Sequence, residues 1–210
     1  ISDVPVCTIL SGGIDSTVIT WLLAQKLPTV EAFVVNVNPI RKSKYKDDLH
    51  YAKMAAQEFG IKLHIVNVDR ADIEDYLEES IWASETFKWT QVSPAVAQLF
   101  LAREIQSNLL NGLHKSNLVR TNKSMMYGGT VELRTPFLNK EVVDFGLQIP
   151  TKYRDENYEV RKEIEQKETV HGDGNVMKFI LRKAFEKDIS EELLWRPKKT
   201  FQVGCHTDYL

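Results

Sequence analysis

The chain has 210 residues, 43% of them apolar and 27% charged, which suffices for one domain with a sizeable core. A formal net charge of -2 excludes the global basic field that nucleic-acid binders carry, and no apolar run approaches the length of a membrane span. The two cysteines, Cys7 and Cys205, lie at opposite ends, so a disulfide framework is not expected; Cys7 reads as a buried thiol and the cytoplasm as the compartment.

Ile1 is not an initiator Met, and a strand begins almost at once, so a preceding segment is expected in the full gene product. Residues 6–10 read as a buried strand, followed by a Gly-rich turn and a helix over 16–25. A second strand is expected over 31–37. The helix expected over 47–59 has Leu49, Ala52, Ala55, Ala56 and Phe59 near helical spacing, and Gly60 closes it. Residues 62–68 alternate as a third strand, and 72–82 form a third helix with Asp72 as its cap. This βαβαβα order predicts an α/β fold with a doubly wound parallel sheet.

The second half changes character. Helices are expected over 93–105, 109–127, 141–147 and 176–185, giving a mainly helical C-terminal lobe, with a highly charged excursion over 154–174. The division is thus 1–106 for the α/β part and 107–210 for the helical part. A doubly wound sheet calls for a fourth strand after the 93–105 helix, yet Gln106-Ser107-Asn108 runs straight into Leu109-Leu110. Residues are therefore expected to be missing near 106–109.

The strongest chemical signal is Ser11-Gly12-Gly13-Ile14-Asp15-Ser16-Thr17, set between a strand and a helix. Two glycines allow a tight turn and close backbone approach to a ligand. Successive amides in such a turn make an anion nest, and the helix N-terminus adds partial positive charge. Ser11, Ser16 and Thr17 add hydroxyls. Asp15 would repel a phosphate unless a cation bridges them, which points to Mg2+. The Walker pattern is excluded because no Lys follows the glycines, and the dinucleotide fingerprint is absent. A plain Gly-rich turn capped by Asp and Ser remains the alternative reading.

The heptad resembles the pyrophosphate loop of the N-type ATP pyrophosphatases. Four further segments, in order along the chain, resemble the asparagine synthetases among them: Ser2-Asp3-Val4-Pro5-Val6, Glu132-Leu133-Arg134-Thr135-Pro136-Phe137-Leu138, Met177-Lys178-Phe179-Ile180-Leu181-Arg182 and Trp195-Arg196-Pro197-Lys198-Lys199. The family's second loop, Ser-Gly-x-Gly-x-Asp-Glu, is missing at the same 106–109 join, and Asn139 stands where an Asp is usual.

The resemblance implies ATP and Mg2+ as cofactors. It implies that Ser11, Gly12, Gly13, Asp15 and Ser16 hold the pyrophosphate part of ATP. Leu10 and Val35 would line the nucleoside pocket, Asp15 would contact the metal, and Lys178 and Lys198 would act as catalytic cations. It further implies adenylation of a carboxylate, with aspartate the default, and attack by ammonia. Glutamine would supply the ammonia through a glutaminase domain outside this chain. A homodimer is compatible with the resemblance, and neither nucleic acid nor a membrane is expected as a partner.

Other readings stand beside this one. A β-lactam-synthetase-like cyclase is expected to use a Tyr–Glu pair as base, but the matching helix has Arg120 and Asn122 instead of Glu. A tRNA-modifying relative would want a broad basic face; Lys115, Arg120 and Lys123 form only a small stripe. A non-catalytic ATP-binding relative would follow if the second loop is truly absent. Glu132 and Arg134 are expected to form a structural ion pair, and Trp82, Trp89 and Trp195 to pack in the core or at its rim. The five histidines show no metal-ligand spacing.

Overall fold

The computed structural model describes residues 6–37, 47–109, Met125, Gly129, 132–149 and 178–196. Strands and helices alternate as β1 (Cys7–Ile9), α1 (Ile14–Lys26), β2 (Glu31–Val37), α2 (Asp48–Phe59), β3 (Lys62–Val68), α3 (Arg70–Ser84) and α4 (Trp89–Leu109). The three strands pair in parallel in the order β1-β2-β3. The expected parallel α/β sheet is present, and β2 and β3 have the bounds read from the sequence.

β2 explains why both faces are covered. Side chains alternate along a strand, and in Ala32-Phe33-Val34-Val35 every residue is at most 3% exposed. Ala32 and Val34 join one core with Leu10, Ile14 and Val18 and with Ala52, Ala55 and Ala56 of α2. Phe33, Val35 and Val37 join a second core with Val66, Val68, Ile73, Val96, Leu101 and Ile105. A strand buried on both faces reads as a continuous apolar run, which is what a doubly wound sheet requires.

Local chemistry sets the helix ends. Asp47 caps α2 by accepting the His50 N–H at 2.9 Å, and Gly60 ends it at φ 67°. α3 starts earlier than expected: Asp69 is its N-cap, and Asp72, read from the sequence as the cap, instead reaches back to accept the Asp69 N–H at 2.8 Å. Arg103 ties α4 to α3 through Glu79 at 2.5 Å and lies 4.4 Å from the Tyr76 ring centroid. α4 takes in Gln106, Ser107 and Asn108, where the sequence suggested an interruption, and reaches Leu109.

Beyond α4, every described regular element is helical: a 3-10 turn (Pro136–Leu138), α5 (Lys140–Gln148), α6 (Phe179–Ala184) and α7 (Glu191–Leu194). The last two are built into the first core. Leu193, Leu194 and Trp195 are buried in it, with Phe179, Leu181 and Phe185 packed against it. The expected helix over 109–127 and the excursion over 154–174 lie outside the described residues, apart from Leu109, which ends α4, and Met125, which is buried in the second core. Trp195 packs as expected, but Trp82 is 73% exposed, since it falls on the outer side of α3. Burial pushes the Cys7 thiol up to about 11, so its reactive thiolate is scarce at neutral pH. Among the described residues no helix is long and apolar enough to cross a membrane.

Gly12 and Gly60 allow a test of how tightly the chain is packed after β1. Both have positive φ, 66° and 67°, but a Cβ on Gly60 meets nothing within 4 Å, whereas one on Gly12 would lie 2.4 Å from Tyr51 Cβ. Gly60→Ala is expected to cost about 1 kcal/mol, the backbone penalty alone. Gly12→Ala adds overpacking against helix backbone and should cost about 2–4 kcal/mol. Urea unfolding of both variants measures the difference; equal losses would contradict the close approach.

Candidate functional site

The site grows from the end of β1. The Leu10 N–H extends the ladder to the Phe33 carbonyl at 2.9 Å, and the chain then turns through Ser11, Gly12 and Gly13 into α1. This is the C-terminal edge of the sheet, where open α/β sheets take their ligands. Gly13 is the N-cap of α1 and supplies no side-chain cap. The amides of Ile14, Asp15 and Ser16 precede the first intrahelical bond, from Thr17 N–H to the Gly13 carbonyl at 2.9 Å. Ser16 Oγ donates to the Gly13 carbonyl at 3.0 Å and lies 3.1 Å from Ser11 Oγ, which holds the turn closed from within. Uncapped amides at a helix N-terminus suit an anion.

Two cationic segments from the far end of the chain meet this turn. Lys178 Nζ donates to Asp15 Oδ2, joining the start of α6 to the start of α1. Both side chains keep solvent access, so either is open to a ligand. Lys178 adopts φ 61°, a left-handed conformation that costs a non-glycine residue about 1 kcal/mol or more. Such strain persists where surrounding contacts over-determine it, often at functional sites.

Arg196 is buried and makes two directed bonds, donating Nη1–H to the Ser11 carbonyl at 2.8 Å and Nη2–H to Asp48 Oδ1 at 2.6 Å. Its guanidinium lies 4.2 Å from the Tyr51 ring centroid. Arg182, also buried, donates to the carbonyls of Leu194 and Arg196 and faces the Trp195 ring. Burial lowers the pKa of Arg182; the Asp15 carboxylate opposes that and Arg196 reinforces it.

The residues singled out from the sequence are distributed unevenly. Ser11, Gly12, Gly13, Asp15, Ser16 and Lys178 come together. Leu10 and Val35 are both buried, but in cores on opposite faces of the sheet. Their side chains are committed to packing, which leaves the main chain as what they could offer a nucleoside. Lys198 and its neighbour Lys199 lie outside the described residues. Glu132 and Arg134 do pair, at 2.9 Å. Arg196, Asp48, Tyr51 and Arg182 went unremarked as site residues in the sequence. The available signal is an arginine directly after the buried apolar Leu193-Leu194-Trp195 run, where a charge drawn in with its neighbours must be paired.

Mg2+ commonly binds one or two carboxylates plus substrate phosphates, keeping several waters. Among the described residues no group of three or more His, Cys, Asp or Glu could hold a metal. Asp15, half-exposed beside an anion cradle, therefore fits a metal only as one that phosphate oxygens help to hold.

A family model for asparagine synthase matches the chain in two blocks, 1–112 and 103–210. Curated relatives include the glutamine-hydrolyzing asparagine synthetase 1 of Lotus japonicus, 25% identical, and the nodule enzyme of Pisum sativum, 24% identical, each aligned over 253 residues and 97% of this chain. Asparagine synthetase 3 of Arabidopsis thaliana is 23% identical over 247 residues. The chain spans 40% of the length of each of these relatives. The aligned lengths exceed the chain's 210 residues, so the relatives carry sequence without a counterpart here. The two blocks meet at the 106–109 join. With both halves of the chain matched, and the loop, the Lys178 segment and the Arg196 segment gathered at one strand edge, the chain belongs to the asparagine synthase family.

Proposed function

We propose that this chain is an ATP-dependent amide synthetase domain that adenylates a carboxylate, by default the side chain of aspartate. The observation that carries this reading is the uncapped anion cradle at α1 with Asp15 and Lys178 at its mouth, in a chain of this family. A carboxylate oxygen attacks the α-phosphorus of ATP, and the bond from that phosphorus to the β-bridging oxygen breaks. Pyrophosphate is retained by the amides of 12–16 and the Ser11 and Ser16 hydroxyls. Ammonia then attacks the acyl carbon, AMP leaves, and asparagine results. The relatives are named as glutamine-hydrolyzing, which supports glutamine as the ammonia source.

The chain's own contribution is positioning and electrostatics. Lys178 supplies positive charge beside the cradle and compensates Asp15 before substrate arrives. Lys198, two residues beyond the anchored Arg196, supplies the second cation where charge grows on the α-phosphate. Leu10 and Val35 meet the nucleoside through their main chain. Asp15 would hold Mg2+, which neutralises phosphate charge when bound.

A second reading, a non-catalytic ATP-binding relative, has one observation in its favour. The aligned relatives carry sequence that this chain lacks, and the family match divides at 103–112.

Screening amino acids for stimulation of ATP–pyrophosphate exchange separates the two. Exchange that depends on aspartate is the expected result; nucleotide binding without exchange for any amino acid would leave only the second reading. Within an active protein, Asp15→Asn should abolish exchange while leaving the unfolding midpoint nearly unchanged, and near-normal exchange would remove Asp15 from the mechanism. Lys198→Ala should retain most ATP affinity but lose about a hundredfold or more in turnover, the scale of one transition-state donor. Lys199→Ala should be mild; equal, small effects in a paired steady-state assay would make Lys198 an ordinary surface lysine.

A further inference from the structure

We infer that Arg196 is a positioning residue for the anion cradle, acting through the Ser11 carbonyl; this rests on the reading of the 11–16 turn as a pyrophosphate site. A peptide's carbonyl and the following amide lie in one plane. Fixing the Ser11 carbonyl therefore fixes the direction of the Gly12 N–H, and with it the turn that sets the amides at the start of α1. Arg196 Nη1–H holds that carbonyl at 2.8 Å.

The guanidinium cannot drift. Its second donor is engaged by Asp48 at 2.6 Å, with both side chains less than a tenth exposed, and Tyr51 covers its face. Asp48 and Tyr51 belong to the first turns of α2, the helix whose backbone crowds Gly12. One side chain thus gauges the gap between α2 and the turn from one side while Gly12 sets it from the other. Arg182 steadies the opposite end of the lever by binding the main-chain carbonyls of Leu194 and Arg196. Neither arginine need touch the anion.

Lysine is a poor replacement: one compact ammonium cannot present two fixed, planar donors to a carbonyl and a carboxylate. The test is a calorimetric titration of the protein with magnesium pyrophosphate, which asks about the cradle independently of acyl chemistry. Arg196→Lys should bind about tenfold or more weakly, the scale of one charge-assisted hydrogen bond. Asp48→Asn, which keeps the shape and removes only the charge, should weaken binding in the same direction and serves if Arg196→Lys does not fold. Arg103→Lys, which loosens the α3–α4 contact on the other face, should lose stability but not affinity.

A purely structural role is separated by chemical rescue. Arg196→Ala leaves a guanidinium-sized space beside Asp48, so guanidinium below unfolding concentrations should restore pyrophosphate binding where equal sodium chloride does not. Unchanged affinity in both Arg196→Lys and Asp48→Asn overturns the inference and leaves the proposed function standing. No pyrophosphate binding by the unsubstituted protein overturns both.

Discussion

A guanidinium taken out of water must find its partners inside the protein, and it holds whatever it finds there. Breaking one side of such a buried pair costs about 3–5 kcal/mol. Arg196 finds the Ser11 carbonyl and the Asp48 carboxylate, residues separated in sequence by all of α1 and β2. The 194–196 segment, the first turn of α2 and the glycine turn after β1 therefore cannot move independently. The apolar neighbours Leu193, Leu194 and Trp195 add a hydrophobic anchor in the same core. The mostly apolar 193–196 segment is in this way held against the polar rim of the sheet.

The sheet provides the rigid base for this arrangement. Because β2 is buried on both faces, its register is strongly specified: a slip by one residue would exchange Phe33, Val35 and Val37 with Ala32 and Val34 between two differently shaped cores. The ladder bond from Leu10 to Phe33 carries that register to the last residue before the turn. The cradle is then set by packing below, by α2 crowding Gly12 on one side, and by Arg196 and Lys178 above. Lys178 and Asp15 share a different relation. They are joined to each other while both remain solvent-accessible, so a phosphate or a cation can compete for either partner without unfolding anything.

The parallel sheet, its strands β2 and β3 and the turn after β1 are legible in the sequence, because they rest on short-range signals: an unbroken apolar run, alternation at 62–68, and paired glycines between a strand and a helix. Helix starts are less legible. Asp69 and Asp72 both carry the cap chemistry, and only geometry decides which one precedes the helix. Trp82 could not be placed from its type, since an aromatic on an otherwise amphipathic helix packs only if a neighbour reaches that side. The roles of Arg196, Asp48 and Arg182 depend on contacts across 12 to 185 positions of sequence, which no local pattern encodes. Leu10 and Val35 illustrate the converse. Resemblance suggests them as pocket residues, whereas their burial in separate cores limits any such part to the main chain.

The proposed chemistry is attack by a carboxylate oxygen on the α-phosphorus, with pyrophosphate departing into the cradle. The most direct measurement follows that oxygen: aspartate labelled with 18O in its side-chain carboxylate is turned over with ATP and ammonia, and the nucleotide product is analysed by mass spectrometry. The attacking oxygen stays on phosphorus when ammonia displaces the adenylate, so AMP carrying one 18O is predicted. Label in inorganic phosphate with ADP as the nucleotide product, or AMP free of label, would contradict it.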